Sequence, residues 1–163
     1  MKILVSLARQ RLTLFDDAGK TLRVYPVSTA ARGAGERNGS FCTPRGKFLI
    51  RAKIGSGLPL GSVFVARRPN GEIHSPELAA KYPGRDWILT RILWLSGCEP
   101  GFNRLGDVDT MRRFIYIHGC PEPETMGQPG SHGCIRMRNG DVAELFDLAP
   151  VYTPVEIVEG DGD

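Results

Sequence analysis

The sequence predicts a mainly β fold built as a single domain over residues 1–163, and three observations carry that expectation. Short apolar runs rich in Val, Ile, Leu, Phe and Tyr recur along the chain, several of them alternating with polar residues. Clusters of Gly, Pro, Asp and Asn separate those runs as turns. Only the segment after Met137 carries a sustained one-sided apolar stripe at helical spacing. With 163 residues the chain can bury one substantial core and is short for two ordinary domains.

Taken in order, Lys2 to Ala8 reads as a first strand. Gln10 to Asp16 and Thr21 to Ser28 form a hairpin around the turn signal Asp17-Ala18-Gly19, with Pro26 at an edge or bulge. Ala30 to Ser40 turns to Gly, Ala, Arg and Asn, an exposed loop. Thr43-Pro44-Arg45-Gly46 is a turn leading into a strand from Lys47 to Lys53. Residues 55–71 are rich in Gly and Pro around the short run Val63 to Ala66, a loop and strand edge. Pro76 to Tyr82 is a short helical turn ended by Pro83-Gly84. Trp87 to Leu95 is read as a strand with Ile88, Thr90, Ile92 and Trp94 on one face. Gly97 to Asp109 is a loop placed to cover whatever follows. Arg113 to Ile117 is a strand that carries Tyr116 and His118 on one face. Asn139 is the expected N-cap of the one clear helix, whose Val142, Leu145, Phe146 and Ala149 face the core before Pro150 stops it. Thr153 to Val158 is a last strand, and residues 160–163 are a polar tail.

Composition narrows the function. Apolar content of 41% and charged content of 24% describe an ordinary globular chain. The net charge of +3 is small and the basic residues are scattered, so pairs such as Arg67-Arg68 and Arg112-Arg113 read as solvated surface and not as a nucleic-acid footprint. No run approaches the roughly 18 apolar residues of a membrane helix. The opening apolar stretch, Ile3 to Ala8, is cut by Arg9 and is shorter than a secretory core. A cytoplasmic protein is therefore expected, with Cys42, Cys98, Cys120 and Cys134 reduced.

The chemistry concentrates in residues 115–137. A β-prone run delivers His118, Gly119 and Cys120; a loop rich in Pro, Glu and Gly reverses the chain; Ser131-His132-Gly133-Cys134 follows. A cysteine attacks carbonyl carbon as thiolate, yet a free thiol of pKa about 8.5 is only a few per cent ionised near neutrality. An adjacent imidazole removes that limit by taking the proton. His118 and His132 are both candidates for the base. Gly133 lacks a Cβ, so a substrate carbonyl could approach the N–H groups of Gly133 and Cys134 as an oxyanion hole. Two rival readings exist. His118, Cys120, His132 and Cys134 are chemically suited to zinc, although one-residue spacings within each pair fit a wrapped ion poorly. A binding module without chemistry would leave the thiol dispensable.

His118 followed by Ser131-His132-Gly133-Cys134-Ile135-Arg136 resembles the signature of the L,D-transpeptidase catalytic domain, the YkuD-like family of peptidoglycan enzymes. Upstream, Thr43-Pro44-Arg45-Gly46-Lys47-Phe48 is similar to the Thr-Pro-x-Gly-x-Phe segment of that domain, so the resemblance spans most of the chain. Many members carry Asn where this chain has Arg136. The resemblance implies a β-sandwich of mixed sheets with one or two short helices, and acyl transfer with neither metal nor cofactor. It implies Cys134 as nucleophile, His118 as base, and the Gly119 carbonyl as the group that orients the imidazole. Ser131, His132, Gly133, Arg136 and Tyr116 would line the pocket. The implied substrate is a peptidoglycan tetrapeptide or muropeptide, attacked between the diamino acid and D-Ala. Water as acceptor gives L,D-carboxypeptidation, the expected task of a cytoplasmic member in murein recycling; an amine gives 3-3 cross-links or attaches protein to the wall.

Overall fold

The computed structural model describes residues 1–162; of the expected polar tail, Asp163 lies outside them. The expected mainly β, mixed architecture is found. Ten strands join one hydrogen-bonded sheet: β1 (Lys2–Ser6), β2 (Arg11–Phe15), β3 (Thr21–Pro26), β4 (Gly46–Ile54), β5 (Ser62–Val65), β6 (Arg68–Ile73), β7 (Ile88–Gly97), β8 (Tyr116–Gly119), β9 (Ile135–Met137) and β10 (Pro154–Val158). Two helices, α1 (Pro76–Lys81) and α2 (Asn139–Leu148), complete it with a short 3-10 turn at Gly106–Val108.

The amino-terminal half follows simple alternation. In β2, Leu12 and Leu14 are fully buried while Arg11, Thr13 and Phe15 are not. Lys2 to Ser6 pairs antiparallel with β2 and parallel with β10, which places the two ends of the chain side by side. From there the order runs β3-β2-β1-β10-β4-β7, and β7 passes the sheet on to β8 and β9. The ring then closes. Just past β3, Ser28 N–H donates to the Arg136 carbonyl at 2.9 Å and Arg136 N–H donates back to Ser28 at 2.8 Å. A sheet that curls until its ends meet leaves few exposed edges, and its inward side chains make one core. That core takes Ile3, Leu12, Ile50, Leu93, Ile117 and Ile135 from six strands and Val142, Leu145 and Phe146 from α2.

This inward set decides where the chemistry can sit. Ile115, just before β8, and Ile117 on it face the core; on β9, Ile135 and Met137 do. The alternate residues Tyr116, His118, Cys134 and Arg136 must then face the opposite side, on neighbouring strands in parallel register with His118 beside Arg136. A three-residue strand such as β9 has few hydrogen bonds of its own, so burial of Ile135 and Met137, roughly 1.5–3 kcal/mol each, holds it in register.

Several elements differ from the sequence reading. β8 begins at Tyr116 and not Arg113, because Phe114 takes φ +58° in a turn closed by its N–H to the Met111 carbonyl. β6 has no β-prone pattern, Arg-Pro-Asn-Gly-Glu-Ile, and exists because the two-residue turn at Ala66 and Arg67 folds it onto β5. In β7 the expected face holds for Ile88, Ile92 and Trp94, but Thr90 at φ +73° breaks the alternation with a register shift. Asn139 is the first helical residue, not the cap; the N-cap is Arg138, without a side-chain bond.

Candidate active site

Cys134, His118 and Tyr116 line one cavity of about 300 Å³ together with Ser131, His132 and Arg136. Every pocket residue named from the sequence except the two glycines, Gly119 and Gly133, is on its wall. Cys134 is half-buried and unpaired. Its sulfur accepts the Tyr116 N–H at 3.3 Å, and the thiol donates to the Phe114 carbonyl at 3.3 Å. Burial pushes this thiol up to about 12, against the partial pull of the Tyr116 N–H and of Arg136 and Arg113.

The two histidines occupy different environments. His118 is buried, and its Nδ1 lies 2.6 Å from the Gly119 carbonyl oxygen. A carbonyl only accepts, so Nδ1 carries the hydrogen and Nε2 is left with a free lone pair. Burial holds His118 below the ordinary histidine value, opposed by the Gly119 bond. At neutral pH the site therefore rests as neutral thiol and neutral imidazole. His132 is exposed, with Nδ1 3.6 Å from Asp86; of the two candidates, among the described residues, His118 alone has its ring held by a hydrogen bond.

Gly119 is glycine for space. A Cβ there would collide with Asn139 Oδ1 and stand 2.7 Å from the Leu89 carbonyl oxygen. Asn139, freed from capping, accepts from Thr90 Oγ1 at 2.6 Å and donates to Glu122 at 3.1 Å beneath this strand.

The Ser131–Cys134 turn is pinned from both sides. Ser131 Oγ accepts from Gly133 N–H at 3.1 Å and donates to the Cys134 carbonyl at 2.6 Å. Thr43 Oγ1, fully buried, accepts from Ala30 N–H and donates to the Gly133 carbonyl at 2.9 Å. Gly133 sits at φ +132°, a conformation side chains rarely adopt. One expectation is corrected here: Gly133 N–H is committed to Ser131, so it is not a free oxyanion donor. Among the described residues the Cys134 N–H has no hydrogen-bond acceptor.

A model of the YkuD L,D-transpeptidase catalytic domain matches residues 1–157. The chain belongs to the L,D-transpeptidase catalytic domain family. It is 32% identical over 117 residues to a putative L,D-transpeptidase, YqjB, of Bacillus subtilis, covering 72% of this chain and 52% of that relative. It is 49% identical over 41 residues to the putative L,D-transpeptidase YkuD of Bacillus licheniformis, a quarter of each chain. The chain thus spans about half the length of YqjB. In fold it resembles an L,D-transpeptidase from Mycobacterium smegmatis (TM-score 0.55, 22% identity, 96% of this chain and 57% of that one). It likewise resembles L,D-transpeptidase 3 from Mycobacterium tuberculosis, solved with a faropenem-derived adduct (TM-score 0.58, 17% identity, 96% and 59%).

In this L,D-transpeptidase domain the walls around the sulfur hold what the sequence did not reveal. Arg136 is buried and committed, donating to Asp86 at 3.0 Å and to the Gly130 carbonyl at 3.1 Å, with Glu124 at 3.6 Å. Asp86 also meets His132, and these three residues line a second, larger cavity of about 720 Å³. Arg67 and Arg113, read as solvated surface, both line the Cys134 cavity. Arg113 donates to the Cys42 and Gly35 carbonyls and to Ser40 Oγ, fastening the loop that carries Thr43. The segment Gly97 to Asp109, expected to cover the site, contributes nothing to either cavity; the β5–β6 turn, residues 74–87 and the loop 121–132 do so instead. His74 lies on the larger cavity edge-on to Trp87, ring centroids 4.9 Å apart.

The zinc arrangement does not assemble. Cys120 is buried with its thiol on the Met137 carbonyl, and His132 turns to Asp86. Among the described residues no three His, Cys, Asp or Glu side chains converge as ligands. No helix of the described chain is long and apolar enough to cross a membrane.

Proposed function

We propose that this domain is a cysteine acyl-transferase acting on peptidoglycan tetrapeptide stems, cleaving the bond between the diamino acid and the terminal D-Ala. The observation that carries the reading is the His118 Nδ1–Gly119 carbonyl bond, which leaves Nε2 as a base in the cavity that holds the Cys134 thiol. The resting pair is neutral, so the S–H swings from the Phe114 carbonyl to Nε2 and the proton leaves sulfur as the S–C bond forms. The Cys134 N–H supports the oxyanion. His118 returns the proton to the amine of D-Ala as the C–N bond breaks, leaving a thioester on Cys134. An acceptor then attacks that thioester, its proton again passing to Nε2, and the thiol is regenerated.

Two acceptors fit this scheme. The larger cavity, joined to the site through Asp86, His132 and Arg136 and walled by Glu122 and Glu124, favours an amine: carboxylates there draw in the acceptor's ammonium, which gives one proton to solvent before the neutral amine attacks. That is L,D-transpeptidation. Water as acceptor gives the L,D-carboxypeptidase of murein recycling in the cytoplasm, a reading that rests on the sequence.

Incubation with disaccharide-tetrapeptide and mass analysis separates them: dimers lighter by D-Ala support transpeptidation, and tripeptide alone supports hydrolysis. No product, from protein whose Cys134 is shown to be reduced, overturns both. Faropenem, whose adduct the M. tuberculosis L,D-transpeptidase 3 carries, is a second probe, expected to add mass at Cys134 and nothing in Cys134→Ser.

A further inference from the structure

Four charged side chains line the cavity over the sulfur: Arg67, Arg113, Arg136 and Asp86. Three are engaged. Arg136 and Asp86 hold each other, and Arg113 is bound to three oxygens of the 35–42 loop. Arg67 is different. Its one hydrogen bond runs from Nη1 to the Tyr116 hydroxyl at 3.0 Å, and among the described residues it meets no carboxylate.

It is nevertheless held in place. The guanidinium lies 4.5 Å from the ring centre of Phe114 and 5.2 Å from that of Trp94, and Trp94 packs edge-on against Tyr116. Its backbone is unusual: Ala66 and Arg67 take φ +48° and +66° at the two-residue turn between β5 and β6, where glycine or asparagine would sit without strain. A cation fixed by aromatic faces, at the tip of a strained turn and with most of its five N–H groups unclaimed, is prepared for a planar anion. The Tyr116 oxygen accepts from Arg67, so its own O–H remains to donate as a second point of attachment.

We infer that Arg67, with the Tyr116 hydroxyl, docks the free terminal carboxylate of the donor peptide and so restricts this domain to stems that end one residue beyond the attacked bond. The inference rests on the proposed reading of the site. In such a donor the carboxylate lies one residue, under about 4 Å of chain, from the reacting carbonyl. Arg67, Tyr116 and Cys134 line the same cavity, and Tyr116 joins them, its hydroxyl accepting from Arg67 while its N–H meets Cys134 Sγ.

The first arm of the test needs no peptide. Cys134 is alkylated with iodoacetate or with neutral iodoacetamide, and both rates are read at the Cys134 peptide by mass spectrometry. Arg67→Gln is expected to lower the iodoacetate-to-iodoacetamide ratio about 10-fold or more, and Arg67→Lys to restore part of it. An unchanged ratio in a variant with wild-type melting overturns the assignment. In the second arm, tetrapeptide is compared with its D-alaninamide analogue. Wild type should prefer the acid, and Arg67→Gln should raise KM for the acid about 10- to 100-fold and lose the preference. An undiminished preference overturns the assignment. Inactivity of wild type on both peptides with a fallen alkylation ratio would instead overturn the peptidoglycan reading and leave the carboxylate site standing.

Discussion

The floor of the cavity and its walls are built on opposite principles. On the floor, β8, β9 and Ser131 are buried, and the polar atoms are held: His118 by Gly119, Gly133 by Ser131 and Thr43, the thiol by Phe114 and Tyr116. The walls are different. Helix α1 has no buried residue, Glu122 and Glu124 are exposed, and Arg67 sits on a two-residue turn. Reacting groups must hold position to a fraction of an ångström, whereas groups that read a substrate need free donors and acceptors. Substitutions in the floor should therefore strike rate and stability together, and substitutions in the walls should alter selectivity.

The sharpest way to break this contrast is His118→Gln, expected to lower turnover about 10²- to 10⁴-fold with the fold intact. It also tests protonation. His118 lies below 6.5 in the folded chain and only its neutral form is a base, so wild-type activity should stay level as pH falls through 6.5 and decline only below it. A wild-type decline centred above 6.5 would contradict that placement. Stability has the same sign: the unfolded chain takes up the proton first, so folding free energy is lost as pH falls below 6.5. The thiol shows the converse, and alkylation by iodoacetamide should still be rising at pH 9, because burial pushes Cys134 up to about 12.

Next in size is Thr43→Val, which leaves the Ala30 N–H and one lone pair of the Gly133 carbonyl without their buried partner. A loss of about 1–3 kcal/mol in unfolding free energy is expected, together with slower turnover. Thr43→Ser should keep most of both. If Thr43→Val lowered turnover without lowering stability, the turn would owe its shape to something else. Gly119→Ala should cost about 1–3 kcal/mol through overpacking against Asn139 and Leu89, with a fall in kcat as the carbonyl that orients His118 moves.

The smallest effect belongs to the wall. Ser75→Ala removes the N-cap of α1, whose hydroxyl accepts from Leu78 N–H at 3.1 Å. The cap is worth about 1 kcal/mol to that helix, but α1 buries little, so global melting should barely move while KM rises. A large drop in melting temperature would show that wall and floor fold as one unit.

The sequence by itself determined the strands that alternate cleanly, the α2 stripe, and the clustering of candidate thiol and imidazoles within residues 118–134. Those signals are local: Leu12 and Leu14 sit two apart on one strand, and Ser131 to Cys134 is a single turn. Even so, Asn139 is not the cap its local pattern predicts, since its partners Thr90 and Glu122 lie 49 and 17 residues away. Only the tertiary structure decided which histidine is oriented, how Thr43 reaches Gly133, that Asp86 engages Arg136, and that Arg67 and Arg113 leave the solvent for the cavity. An arginine in a turn reads the same in sequence whether it meets water, a carbonyl or an aromatic face. Its role is set by whatever the curled sheet brings to it from 49 or 71 residues away, and no local pattern encodes that encounter.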